Sequence, residues 1–273
     1  MNSILVPIDF SKHSLFALEA AVHLARQTNA SILMLHMLGL SEAVLAKSET
    51  QEHQEAQYYM NLAKKRFRPL LEKPFLRGIE VEIMLQNYKI FSELDEIASE
   101  NGIDLIVMGS HGNGGIGTLV VGSNTDKVIR TSSVPVLVIK KEHSSFEIKK
   151  MVFSTHLGEE TIDAYKKAKV FADRFAAQME VVYINLPYHN FKSTKEIEKK
   201  IDVFKALAGG SIHVHVANDY SVGEGVMNFC ERQGADLLVI PTHGRKGLVH
   251  FFKGSIGEKM AKRSTVPVLT IRI

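Results

Sequence analysis

The sequence predicts an α/β protein built from two tandem copies of one domain, each with a mainly parallel sheet covered by helices on both faces. Three observations predict it. Residues 102–140 and 234–272 align without a gap at a constant offset of 132 and share 16 of 39 residues; a repeat period this long, far above that of a solenoid, makes each copy a whole domain. Short apolar runs alternate with amphipathic stretches along the chain, the pattern of βαβ units with right-handed crossovers. The length of 273 residues suits two small domains. The starts of the copies also correspond: Ile4-Leu5-Val6-Pro7-Ile8-Asp9 pairs with Lys150-Met151-Val152-Phe153-Ser154-Thr155 at an offset of 146. The second copy is therefore shorter by 14, a shortfall expected between its second and third strands. The domains are residues 1–141 and 149–273, joined by a polar, charged linker.

In the first copy, residues 4–8 are apolar enough for a buried strand. Residues 11–28 carry Leu15, Leu18, Ala21, Val22 and Ala25 at helical spacing, with Ser11 as N-cap. Residues 31–38 form a second buried strand, and residues 41–71 a long helix or a loop and helix that Pro69 should end. Residues 79–85 alternate, as a half-exposed strand does. Then follow a helix over 91–101, a strand over 105–108, a helix over 124–131 and a strand over 134–139. The second copy repeats the pattern, with strands near 151–154, 180–185, 212–216, 237–240 and 266–271 and helices near 160–176, 195–208, 223–233 and 256–262.

Composition excludes several classes. The formal net charge of +3 is too mild for a nucleic-acid protein with a concentrated basic face. A single cysteine, Cys230, forbids an intrachain disulfide and any CxxC site, and suits a reducing compartment. The N-terminus has no signal-peptide pattern and no apolar stretch approaches membrane-spanning length, so a cytoplasmic location is expected.

The most informative segment follows the fourth strand: Gly109-Ser110-His111-Gly112, nine residues, then Gly122-Ser123 at a helix start. Glycines let the backbone approach a ligand, and a helix N-terminus offers unpaired N–H groups and the positive dipole end to phosphate. The same glycines would also serve as plain turns. The spacing G-x2-G-x9-G-[ST] resembles the ATP-binding signature of the universal stress protein family. The opening Ile4 to Asp9, Met34-Leu35-His36-Met37, Asp104 to Gly109, and Val134-Pro135-Val136-Leu137-Val138 are similar to that family in their expected order, across essentially the whole chain.

The resemblance implies open five-stranded parallel sheets in the order 3-2-1-4-5, a Rossmann-like fold of the adenine nucleotide alpha hydrolase kind. Strands 1 and 4 then adjoin at the topological switch point, where ligands bind beyond the carboxyl ends. Carried over position by position, Asp9 lies at the ribose and adenine end, and Pro7 and Met37 flank the base. Gly109 and Gly112 let the loop close over ribose and phosphates, and Gly122, Ser123 and Asn124 hold phosphate oxygens. Asp9 equally suits a local helix-capping role. In the second copy Thr155 stands for Asp9 and Pro241 for Gly109. Proline fixes φ and donates no hydrogen bond, so this copy is expected not to bind ATP, with Gly244, Gly254 and Ser255 left as a residual anion site.

The expected function is an ATP-binding regulatory protein of the stress response. One adenine nucleotide, with or without Mg2+, would bind in the first domain with little or no hydrolysis, at most a weak ATPase activity, since no catalytic base or arginine finger is identifiable. The alternatives are a slow ATPase or nucleotidyl transferase on the same fold, or a pairing scaffold that binds no nucleotide. The apolar fifth strands, at sheet edges in this order, are expected to pair the domains within the chain; a homodimer of chains is a further expectation, while nucleic acid and membrane are not expected partners. Gly112-Asn113-Gly114-Gly115-Ile116-Gly117 also fits G-x-G-x-x-G, but it follows the fourth strand rather than the first and has no acidic residue 20 positions on, so NAD is not expected. His213 and His215 read as a solvated strand face rather than metal ligands, Cys230 as a buried small hydrophobe, and Lys64-Lys65-Arg66-x-Arg68 as a solvated helix face.

Overall fold

Each apolar run becomes a strand because its neighbours bury it. The computed structural model describes residues 1–38, 49–87, 94–110, 123–143, 145–242 and 266–273. In the first half these hold strands β1 (Ser3–Pro7), β2 (Ser31–Leu38), β3 (Val81–Asn87), β4 (Leu105–Gly109) and β5 (Val136–Ile139), with helices α1 (Lys12–Thr28), α2 (Glu49–Leu71), α3 (Leu94–Glu100) and α4 (Ser123–Thr131). In the second half they hold β6 (Lys150–Ser154), β7 (Gln178–Asn185), β8 (Val214–Asn218), β9 (Leu237–Thr242) and β10 (Val268–Arg272), with α5 (Ile162–Arg174), α6 (Thr194–Ala208) and α7 (Val222–Gln233). The ten strands form one sheet in the order β3-β2-β1-β4-β5-β10-β9-β6-β7-β8. Each half thus has the order 3-2-1-4-5, and every neighbouring pair is parallel except β5 with β10.

Right-handed crossovers divide the helices between two faces. One core layer takes Leu18 and Ala21 of α1, Phe67 of α2, Tyr165 and Ala168 of α5 and Phe204 of α6. The other takes Leu94 and Ile97 of α3, Val128 and Ile129 of α4, and Val226, Phe229 and Cys230 of α7. Alternation along β5 serves both layers: Val136 and Val138 face α4, Leu137 and Ile139 face α1.

Local chemistry fixes the strand starts. Asp104 Oδ2, just before β4, accepts the N–H groups of Asn2 and Ser3 at the head of β1. Asp236, 132 residues on, does the same for Lys149 and Lys150, at 2.9 Å each. This is why aspartate precedes the fourth strand in both copies. The shortfall of the second copy falls between its second and third strands: the α6 crossover has a 15-residue helix where α2 has 23 residues.

The α2 helix ends at Leu71, the bound expected, two residues past Pro69. Three expectations need correction. The third strands begin two residues late, because Ile79 and Ile212 pack into the core ahead of the ladder. The fifth strands also begin two residues late. Pro135 and Pro267 cannot donate, yet their carbonyls accept from Ile106 and Leu238 at 3.0 Å. The linker is less solvated than its charges imply: Phe146 and Ile148 are buried in the α1-side core, and Gln27 Nε2 donates to the Phe146 carbonyl at 3.3 Å. The helix expected over 256–262 lies outside the described residues.

Candidate functional site

In the first half the strand order turns about β1 and β4, which pair through Ile4 with Leu105 and Leu5 with Ile106. Helices α1 and α4 that follow them pack on opposite faces of the sheet, and in open α/β sheets the carboxyl ends at such a switch point are where ligands bind. Pro7 closes β1 opposite Leu35, and the next N–H, of Ile8, donates to the Leu35 carbonyl at 2.7 Å. Asp9 then turns the chain: its Oδ1 accepts the Ser11 N–H at 2.9 Å, an Asx turn. Ser11, as expected, is the N-cap of α1, its Oγ accepting the Ser14 N–H at 3.2 Å. Between them Phe10 has φ of 61°, the left-handed region a phenylalanine rarely adopts.

Beside this turn β4 ends at Gly109, opposite Ile139. Thr125 Oγ1, in the first turn of α4, donates to the Gly109 carbonyl at 2.9 Å and ties that helix start to the strand end. Gly109 has a second reason to be glycine. A Cβ there would sit 2.7 Å from both C and O of His13, so the first turn of α1 rests directly on the end of β4. The starts of α1 and α4, each a positive dipole end, therefore lie at the same edge as the Asp9 turn.

The structure places Pro7, Asp9, Met37, Gly109, Ser123 and Asn124 at this carboxyl edge of the first sheet. Met37 is half-buried on β2 opposite Gln86, Ser123 opens α4, and Asn124 is exposed. Gly112 and Gly122 lie outside the described residues, as do Gly244, Gly254 and Ser255 of the second copy.

The second half keeps the turn and loses the carboxylate. Thr155 Oγ1 accepts the Leu157 N–H at 2.9 Å, as Asp9 does for Ser11, and meets Thr161 Oγ1 at 3.0 Å. Pro241 lies inside β9, past the last β6–β9 pair, Phe153 with Val239, where β6 asks nothing of its missing N–H. A 3-10 turn, Glu159–Thr161, precedes α5, so the helix begins farther along than α1 does.

Sequence reasoning missed an aromatic cluster beside Asp9. The Arg66 guanidinium of α2 lies over the Phe10 ring, Cζ 4.3 Å from its centroid. Phe10 also meets His36 and Phe67 edge-on at 4.8 and 4.9 Å, and His36 Nδ1 donates to the Ile8 carbonyl at 2.6 Å. The basic run 64–68 is thus not wholly a solvated face. A phenylalanine directly after Asp9 was the available signal, but its partner is 56 residues away. His215 needs a like correction: half-buried against Phe229, its Nε2 is 2.8 Å from Glu180 Oε2. Cys230 is fully buried, and burial pushes its thiol up to about 12. Among the described residues no group of three or more His, Cys, Asp or Glu could hold a metal, and no helix is long and apolar enough to cross a membrane.

Comparison with known proteins matches the model of the universal stress protein family twice, over residues 1–140 and 148–272. Universal stress protein YxiE of Bacillus subtilis is 34% identical over 147 residues, covering 51% of this chain and 99% of that protein. A universal stress protein of Mycolicibacterium smegmatis is 20% identical over 289 residues, 98% of this chain and 96% of its own. Among solved structures, a universal stress protein from Archaeoglobus fulgidus superposes with a TM-score of 0.72 at 18% identity, covering 99% of this chain and 96% of that one; this likeness concerns the fold.

Proposed function

Because the chain belongs to the universal stress protein family, we propose that its first half binds one adenine nucleotide, ATP in particular, and acts as a regulatory module without turning it over. One observation carries the reading. Asp9 and the starts of α1 and α4 meet at the carboxyl ends of neighbouring β1 and β4, and the second half has replaced both Asp9 and Gly109. The parts have distinct chemistry. A carboxylate accepts hydrogen bonds from ribose hydroxyls. A helix start leaves its first N–H groups without intrahelical partners, and those of Ser123 and Asn124, next in sequence to Gly122, are the donors for phosphate oxygens. Met37 and Pro7 give the base apolar contact. Mg2+ would accompany the phosphates, bound by them rather than by a cluster of side chains.

Titration calorimetry tests this on the intact chain. The expected result is one ATP per chain, lost in Asp9→Ala combined with Gly122→Val. Two equivalent sites, or binding unchanged in that variant, would overturn the reading. Incubation with Mg2+ and ATP should release no phosphate on the timescale of exchange; steady multiple turnover would instead make the protein an ATPase.

A further inference from the structure

We propose that Arg66, seated on Phe10, forms the outer wall of the base subsite in the first half, its solvent-facing side stacking against the purine ring. The inference rests on the nucleotide reading above and deepens it. Phosphate belongs at the start of α4, on the β4 side, where the first N–H groups of that helix and its positive dipole end are. The base must then reach the other way, over β1 toward β2, two strand spacings or roughly 10 Å across. That end is where the aromatic cluster stands. Phe10 follows Asp9 and His36 precedes Met37, and their rings touch. His36 is anchored to the Ile8 carbonyl, and Phe67 is buried behind Phe10.

The pair is built rather than incidental. Phe10 holds a left-handed backbone, and that conformation keeps its ring between the buried Phe67 and the guanidinium. Arg66 is exposed and lies over the Phe10 ring. A guanidinium is planar: with one face on a phenyl ring, the opposite face suits a second aromatic system. The degenerate half supplies an internal comparison. The residue matching Phe10 is His156, whose ring is turned to Glu160 at 2.7 Å. The stacked pair therefore stands in the half that keeps Asp9 and Gly109.

Binding of adenosine and of ATP to the intact chain, its Arg66→Ala and Arg66→Lys variants and Phe10→Leu decides the matter. A stacking wall predicts that Arg66→Ala weakens both ligands by the same factor, about 5- to 20-fold. Arg66→Lys should recover little, since an ammonium has no plane. The melting temperature should fall by no more than a few degrees, because Arg66 is exposed and gives up one surface cation–π contact. Equal affinity in Arg66→Ala overturns this inference alone. A loss confined to ATP, restored by lysine, also overturns it and makes Arg66 a phosphate contact. Failure of the unaltered chain to bind either ligand overturns the nucleotide reading and this one with it.

Discussion

Asp9 has a local task and a proposed ligand task, and Thr155 shows how to separate them. Both side chains accept the N–H two residues on at 2.9 Å. Asp9→Thr should therefore keep the turn, leaving stability within about 0.5 kcal/mol, while nucleotide binding falls. Asp9→Ala should lose both, with a stability cost of about 1 kcal/mol for the unpaired N–H; denaturant titration and calorimetry on the two variants check this. Gly109→Ala should destabilise by about 1–3 kcal/mol, since its Cβ would meet the His13 backbone at 2.7 Å and backbone cannot swing aside. Two groups, the half-buried Lys140 and the buried Cys230, shape the alkaline behaviour. Burial lowers the Lys140 ammonium to about 8 and raises the Cys230 thiol to about 12. Above pH 8 the folded chain has shed the lysine proton that the unfolded chain keeps up to 10.5, so stability rises with pH by up to about 1.4 kcal/mol per unit. Above pH 9.0 the unfolded thiol ionises while the folded one does not, and stability falls at a similar slope. The net rise should be confined to the interval between pH 8 and 9. Lys140→Met should abolish it, and Cys230→Ala should extend it toward pH 10, where Tyr165 and Tyr183, both raised by burial, begin to oppose it. Urea midpoints across this range measure all three.

Among the elements, those whose identity depends on near neighbours were legible. The β2 strand matches its expected bounds because eight consecutive residues suit a buried strand, and α1 begins where Ser11 predicts. The candidate site was legible where it rests on single positions, such as Asp9 and Gly109. It was not legible where it rests on contact: that His13 backbone needs Gly109 bare, or that Arg66 of α2 reaches Phe10, depends on how α1 and α2 dock, which no local pattern encodes. The seam between halves shows the same limit. Val138 pairs with Val268 and Thr270 with Val136, Thr270 Oγ1 donates to the Val136 carbonyl at 3.2 Å, and Arg272 Nη1 donates to the Thr131 carbonyl at the end of α4 at 2.9 Å. Apolarity suggests an edge needing cover, but the arginine that caps a helix of the other half is visible only once folded. Arg272→Ala should cost about 1 kcal/mol by leaving that carbonyl to water, with the amides of α4 exchanging faster in hydrogen-exchange measurements.

At the scale of the whole molecule, the sheet is continuous through β5 and β10, so each half covers the other's apolar edge. Residues 1–141 expressed alone should expose β5 and self-associate as a dimer, whereas the full chain hides that strand; light scattering on the fragment and the chain should differ accordingly. The antiparallel sense of the seam has a further consequence. Because β5 and β10 run oppositely while all other neighbours run together, the strands of the two halves point their carboxyl ends toward opposite rims of the sheet. In a pair of identical domains the two rims would be interchangeable. Here one rim carries Asp9 and Gly109 in a half (residues 1–145) of formal charge −2, and the other carries Thr155 and Pro241 in a half (residues 146–273) of +5. The tandem chain is thus a body with a head and a tail, and anything that grips it can tell which way round it lies.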